Sequence, residues 1–383
     1  MLQINYPRCV AYEVDFIGIP EDDSTKDADA ICFRWLDNYG NYKTAVYDAG
    51  FKAHGKAMVE HINKFYFDDE YGRLDRNEKK IDYVFVSHPH NDHAGGIPEI
   101  LNNFSVGCIF MNRPWLYSTE LIKKYSADGR ATQNSLEQEL RIDFPYVNKI
   151  EKLADTYGII IKEAFAGSRI EGGLLSVLSP DKAFYLKKVV ASKKTKRIQA
   201  NTEAYALNEA QKTMFSHSYE SWDVETLGDV HAETDAENEI SIVLYGFKDM
   251  GGMLLVGDAG VEALEKADIE ACFHNNIVIS DDVEFTEIPH HGGRHNVSTS
   301  LLNQLFGTPI GEGTVPRKTA YVSVAASSDH PRQVVVNAFI RRGFSVYKTT
   351  GFTRWHHVGN MPAREGFSSS TDRLSFSSVV EKW

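Results

Sequence analysis

Ten residues carry most of the chemistry in this chain: Ser87-His88-Pro89-His90-Asn91-Asp92-His93-Ala94-Gly95-Gly96. Their core reads H-x-H-x-D-H, three imidazoles and a carboxylate within six residues. In an extended segment His88 and His90 point to the same side, while Asp92 and His93 follow a bend and face a neighbouring position. Neutral imidazole and carboxylate are the usual ligands of Zn²⁺, and Mn²⁺ or Fe suit them too. A polar surface loop would account for one such histidine but not for four such residues at this spacing. One loop supplies too few ligands for metal catalysis, so the rest of the chain must add more. Asp258, delivered to a glycine-flanked strand end, suits a bridge between two ions, and His290 and His291 offer the next ligand. Gly292-Gly293 gives the backbone freedom to approach closely. A lone Asp after a strand is usually a turn residue; the three pieces in this order say more than any one.

The elements that must position these residues follow from patterning. Residues 10–19, 30–35 and 42–47 are rich in β-formers, and the polar, turn-like Pro20-Glu21-Asp22-Asp23-Ser24-Thr25-Lys26-Asp27 separates the first two. The apolar spacing over 53–65 predicts a helix. Residues 81–86 form a short apolar strand that ends in the histidine cluster, and a helix starts near Pro98. Three more strand-to-polar junctions follow: 253–256 into Gly257-Asp258, 285–289 into His290-His291, and 321–324 into Ser327-Ser328-Asp329-His330-Pro331. A helix over 332–342 has Pro331 near its first turn and Gly343 past its end. Chemistry at strand ends, with helices between, predicts mixed sheets covered by helices.

These motifs resemble the metallo-β-lactamase superfamily, whose hallmark H-x-H-x-D-H matches His88, His90, Asp92 and His93. Tyr47-Asp48-Ala49-Gly50 is similar to its strand-end D-x-G, in which Asp48 would stand behind the ligands. Within the superfamily the chain resembles the hydrolase domain of ComEC-type DNA-uptake proteins. That likeness rests on 237–244 (an N-x-x-S strand), 254–259, 288–293, and 322–324 followed by His330-Pro331 and 342–347. The resemblance implies a single α/β domain over 1–383, a four-layer αβ/βα sandwich of two mixed sheets with the metals at one edge. It departs from the pattern in three places. The uptake proteins' membrane channel has no counterpart. The usual histidine between the first motif and the bridging Asp is missing, and Ser179 sits where it is expected; His217 and His231 have no strand leading into them. Gly293 stands in place of the family's Ser.

The resemblance implies two divalent ions, Zn or Mn. His88 and His90 would hold the first; Asp92, His93 and His290 or His291 the second; Asp258 would bridge. A metal pair roughly 3.5–4 Å apart lowers the pKa of bound water towards about 7, making hydroxide available at neutral pH. Asp92 is expected to orient that nucleophile. His330, at the start of the predicted helix, is placed to bond a phosphate oxygen or protonate the leaving oxygen, with a structural helix cap as the even alternative. His295, Arg294 and Arg332 are candidates for gripping a phosphate, although basic residues at such places are usually surface decoration. His356-His357 reads as a loop or hairpin without chemistry.

The whole chain bounds these readings. With 42% hydrophobic and 25% charged residues, 383 residues make an ordinary globular chain, not a disordered or fibrous one. No window has the roughly 18 apolar residues of a membrane helix, and the start lacks a secretory pattern, so a cytoplasmic protein without a membrane role is expected. The four cysteines, Cys9, Cys32, Cys108 and Cys272, lie far apart and read as core residues. A net charge of −12 excludes a general coating of nucleic acid. Residues 182–202 nevertheless hold seven basic residues and no acid, and 220–239 hold eight acids and no Lys or Arg. The region 181–237 is read as a charged insertion, solvated or else a basic strip guiding a polyanion. The leading expectation is a metal-dependent phosphodiesterase or nuclease acting on nucleic acid. The alternatives are a small-molecule hydrolase (lactam, lactone or thioester) and a non-catalytic or partner-activated assembly component.

Overall fold

The computed structural model describes residues 8–20, 24–125, 132–201, 217–229, 234–367 and 372–381. Its strands, in chain order, are β1 (Cys9–Phe16), β2 (Ala30–Asp37), β3 (Tyr42–Ala49), β4 (Lys80–Phe85), β5 (Ser105–Phe110), β6 (Ile160–Lys162), β7 (Arg169–Ile170) and β8 (Leu175–Ser179). They continue as β9 (His217–Tyr219), β10 (Val243–Gly246), β11 (Met253–Leu255), β12 (Phe285–Glu287), β13 (Lys318–Val322), β14 (Phe344–Lys348), β15 (Arg354–Val358) and β16 (Val379–Glu381). One seven-stranded sheet runs β15-β1-β2-β3-β4-β5-β6 and the other β14-β13-β12-β11-β10-β8-β7. In the first, β3 to β6 are parallel and β15, β1, β2 and β3 antiparallel; in the second, β11 to β14 are parallel and β11, β10, β8 and β7 antiparallel.

Alternation sorts the apolar residues into three layers. Along β3, Ala45 and Tyr47 face the gap between the sheets, where they meet Phe33, Trp35, Phe85, Leu244, Phe247, Leu255 and Phe285. Val46, one residue out of phase, faces Met58, Ile62, Ile97 and Leu101 of the outer helices. On the far side Leu254 and Val322 pack under Ala263, Val335 and Phe339. Helix, sheet, sheet, helix is the αβ/βα sandwich, as expected, and the parallel halves of both sheets aim their strand ends at one edge.

Several local expectations need correcting. The last helix is Gln333–Arg341 with Arg332 as its N-cap, so His330 lies ahead of the first turn and neither caps the helix nor shares its dipole. His356 and His357 lie in β15, paired to β1, and His356 stacks on Phe285 at 4.3 Å between ring centroids. Cys272 is exposed, unlike Cys9, Cys32 and Cys108, because it lies on the outer face of the helix Val261–Asn275. The helix Lys182–Asn201 opens the basic stretch, and it is integral at its start: Tyr185, Leu186, Val189 and Val190 are buried in the core. Its Lys182, Lys187 and Lys188 pair with Glu120, Glu262 and Glu239. Some acids of 220–239 turn inward as well, Glu220 to Arg341 at 3.0 Å and Glu225 to Arg342 at 2.9 Å, while Asp223, Asp229 and Asp235 are exposed. The remainder of the proposed insertion includes 202–216 and 230–233, hence His231, which lie outside the described residues.

Candidate metal centre

Four strand ends converge at the edge of the two sheets. After β3, Asp48 adopts a left-handed backbone (φ 58°), as do His290 (φ 48°) and His291 (φ 56°) after β12. Non-glycine residues rarely sit there, and such strain collects at functional sites. After β4 the loop of His88 and His90 runs into the short helix Asn91–Ala94, which turns His93 inward. After β11 comes Asp258, which is fully buried.

The chain thereby assembles two groups of ligand atoms that share Asp258. One is His88, His90 and Asp258; the other is Asp29, His93, Asp258 and His291, the atoms in each group lying within 4.8 Å of one another. His93 Nε2 lies 3.2 Å from Asp258 Oδ1, and His88 Nε2 lies 3.6 Å from Oδ2. Asp92 Oδ2 is 3.7 Å from His291 Nε2, beside the second group but, like His290, outside it.

Hydrogen bonds fix which ring nitrogen faces this centre. Asp48 can only accept, so His93 Nδ1–H donates to its Oδ2 at 2.8 Å. The Ser87 hydroxyl donates to the same carboxylate, so it accepts from His88 Nδ1–H at 3.0 Å. His291 Nδ1–H donates to the Ser323 carbonyl at 2.9 Å. What remains is His88 Nε2, His93 Nε2, His291 Nε2 and Asp258 Oδ1, all buried and without a hydrogen-bond partner. Buried polar atoms are rarely left unpaired, because each costs roughly 1–3 kcal/mol. Four of them converging from separate elements fit divalent ions, and imidazole with carboxylate is the donor set of Zn²⁺ or Mn²⁺.

The electrostatics agree. Burial pushes His88 well down. Burial would lower His93 and His291 as well, but Asp258 and Asp48 hold His93 well up, and Asp29 and Asp92 push His291 up to about 10. Burial opposes charge on Asp92 and Asp258, yet the neighbouring histidines hold both carboxyls down and ionised. A cation entering the centre replaces protons on these rings.

The other residues singled out from sequence lie as follows. His290 Nδ1 meets Asp258 Oδ2 at 2.6 Å and Asn238 Nδ2 at 3.2 Å; it is Asp258's partner and lies outside the second ligand group. His330 Nδ1–H donates to Asp27 Oδ2 at 3.0 Å, which also takes the Ser328 hydroxyl at 2.7 Å. Arg294 is buried and donates to the Glu381 carbonyl at 3.2 Å, Arg332 pairs with Asp329 at 2.9 Å, and His295 is exposed. Ser179 is fully buried, its hydroxyl without a hydrogen-bond partner.

Sequence reasoning missed five polar residues. Asp29 is buried, 3.7 Å from His93 Nε2 and 3.8 Å from His291 Nδ1, and its N–H donates to the Asp92 carbonyl. Asp27, two residues earlier, holds His330. Ser241 contacts His88 Nδ1 at 3.3 Å and accepts from Asp258 N–H at 3.2 Å. Asn296 Nδ2 donates to the Asp258 carbonyl at 2.8 Å. Glu287 accepts from Val256 and Gly257 N–H at 2.6 and 2.8 Å, shaping the turn that delivers Asp258, and burial holds its carboxyl well up. Only polar residues set within apolar runs, such as Thr286-Glu287-Ile288, hinted at them.

Parts of the chain are similar to known proteins. The chain is 26% identical to Ribonuclease J of Mycoplasma genitalium over 99 residues, covering 23% of this chain and 17% of that protein. It is 26% identical to Ribonuclease J of Mycoplasma pneumoniae over 110 residues, 26% of this chain and 18% of that protein. It thus spans less than a fifth of either relative. A crystal structure of a long form RNase Z from yeast aligns over 82% of this chain and 37% of that one, with 11% identity and a TM-score of 0.32. Residues 39–127 match the family described as the metallo-beta-lactamase superfamily, a range that holds Asp48 and the whole H-x-H-x-D-H loop. That match is a likeness of this part of the chain to the metallo-β-lactamase superfamily.

Proposed function

We propose that the chain is a metal-dependent phosphodiesterase acting on nucleic acid. The observation that carries the metal reading is that His88 Nε2, His93 Nε2, His291 Nε2 and Asp258 Oδ1, buried and without a hydrogen-bond partner, fall in two adjoining groups that share Asp258. His88, His90 and Asp258 would hold the first ion; Asp92, His93, His291 and Asp258 the second, with Asp29 beside them. When bound, such ions stabilise charge on a phosphoryl oxygen and make a deprotonated water available near neutral pH.

The chain's own residues do the rest. Asp48 and Ser87 orient His93 and His88, and Ser323 orients His291. The ionised Asp92, with 28% of its side chain exposed, is placed to accept a hydrogen bond from the attacking water and aim it. Asp27 takes Nδ1–H of His330 and would stabilise its imidazolium form, whose Nε2–H is the proton that could pass to the leaving oxygen, returning His330 to the neutral ring. Nucleic acid as the substrate draws its support from the Ribonuclease J relatives and from the ComEC-like segments around Asn238, Asp258, His291 and His330. Among the described residues no helix is long and apolar enough to cross a membrane.

The test is cleavage of labelled single- and double-stranded DNA and RNA with Mn²⁺ or Zn²⁺, beside Asp92→Ala. Cleavage should fall by roughly 100-fold or more in that variant. Intact nucleic acid with metal bound, together with turnover of a lactam, lactone or thioester, would transfer the reading to a small-molecule hydrolase.

A further inference from the structure

The first ion site, as read above, is one ligand short. His88, His90 and Asp258 converge, but among the described residues no middle histidine joins them, and Ser179 stands at the expected place. Three histidines of the centre follow one rule: one ring nitrogen is held by a protein acceptor, the other is left for a metal. His93 is held by Asp48, His88 by Ser87, and His291 by the Ser323 carbonyl. His90 has a counterpart in Glu237, whose Oε2 lies 3.2 Å from His90 Nε2.

Glu237 is itself held in place. It is 7% exposed, its backbone N–H donates to Asp235 Oδ1 at 2.7 Å, and its Oε1 accepts from the Ser192 hydroxyl on the helix Lys182–Asn201. A carboxylate so enclosed needs donors to remain charged, and Ser192 and His90 are donors. The ring of His90 lies 4.7 Å from that of His88, centroid to centroid. With Nε2–H turned to Glu237, Nδ1 is the nitrogen left to join His88 and Asp258.

We infer that Glu237 is a positioning residue for the first metal: it accepts Nε2–H of His90, fixes the tautomer that presents Nδ1, and so offsets the missing histidine by stiffening the ligands that remain. The inference rests on the metal reading proposed above. It also ties the basic helix to the centre, because Ser192 connects that helix to a ligand through one side chain. Carboxylate partners of ligating histidines typically change metal affinity 10- to 100-fold when removed.

The experiment is calorimetric titration of the full chain with Mn²⁺, and a Co²⁺ absorption spectrum, for wild type, Glu237→Ala and Glu237→Gln, each checked by thermal melting. Glu237→Ala should weaken one binding step by roughly 10- to 100-fold and leave the other within about twofold. Glu237→Gln, whose amide oxygen still accepts Nε2–H, should restore that step to within about threefold with the Co²⁺ bands unmoved. Should Glu237→Ala not fold, Ser192→Ala carries the test, with the same step expected to weaken by roughly three- to tenfold. Two binding steps unchanged in Glu237→Ala, or in its Ser192→Ala substitute, would overturn the inference. So would a Gln variant as weak as Ala with shifted bands, which would make Glu237 a direct ligand. A wild-type chain that takes up neither ion would instead overturn the metal reading on which the inference stands.

Discussion

At the scale of single residues, the account turns on atoms that have lost one partner and await another. Asp48 illustrates it: the carboxylate receives Ser87 N–H at 2.7 Å, the Ser87 hydroxyl and His93 Nδ1–H, so it sets two histidines at once. Asp48→Ala should therefore weaken metal binding by roughly 10- to 100-fold while the sandwich still folds. Calorimetry with Mn²⁺, beside a circular-dichroism melt, checks it; unchanged affinity would mean that Asp48 does no more than close a turn. The metal loop was legible from sequence because its ligands crowd into one short run. Asp258 and the His290-His291 pair were legible as strand-end residues, but which of the two histidines enters the centre was not. Their backbones both adopt left-handed angles, and only the folded turn shows that His291 lies in the candidate ligand group while His290 contacts Asp258. Asp29 and Glu237 stayed hidden because an acid near a turn in sequence reads as solvent-facing, and burial is a property of the fold.

Elements explain why these side chains hold still. Gly96, the N-cap of the helix Ile97–Asn103, lies two residues past the short helix that carries His93, and a Cβ there would lie 2.0 Å from the Ala49 carbonyl and 2.9 Å from Gly55 Cα. Both obstacles are backbone, so no rotamer change relieves them. Gly96→Ala should destabilise the chain by about 1–3 kcal/mol and loosen the loop between β4 and the helix. Urea unfolding measures the first effect and metal affinity the second; a variant as stable as wild type would contradict the close approach. The parallel strands were legible as short apolar runs ending in polar residues. The last helix was placed one residue too long at each end, which put His330 on a helix dipole when it is in fact held by Asp27, about 300 residues away in sequence. The basic and acidic stretches gave composition without direction, since a lysine that pairs with Glu262 and one that awaits a phosphate look alike in a sequence.

For the whole molecule, β1, the helix Lys52–Tyr66 and Arg364 bury a charged cluster on the side of the first sheet. Asp15 is fully buried against His61 at 3.2 Å and Arg364 at 2.6 Å, and Arg364 also meets Glu13 at 2.6 Å. Burial opposes charge on Asp15, but His61 and Arg364 hold its carboxyl down at about 2. An acid whose folded pKa is depressed adds stability above its unfolded pKa of about 3.9, and that stability is lost as pH falls through the folded value. The stability gap between wild type and Asp15→Asn should thus shrink by roughly 2 kcal/mol between about pH 5 and pH 2. Denaturant titrations across that window measure it, and a constant gap would show that Asp15 does not titrate with folding.

In the proposed centre two ions would share Asp258. Anomalous diffraction from crystals soaked in Mn²⁺ tests it most directly. The account predicts two peaks roughly 3.5–4 Å apart with Asp258 between them. His88 and His90 should lie on one peak, and Asp92, His93 and His291 on the other. A single peak, or two that Asp258 does not bridge, would contradict it.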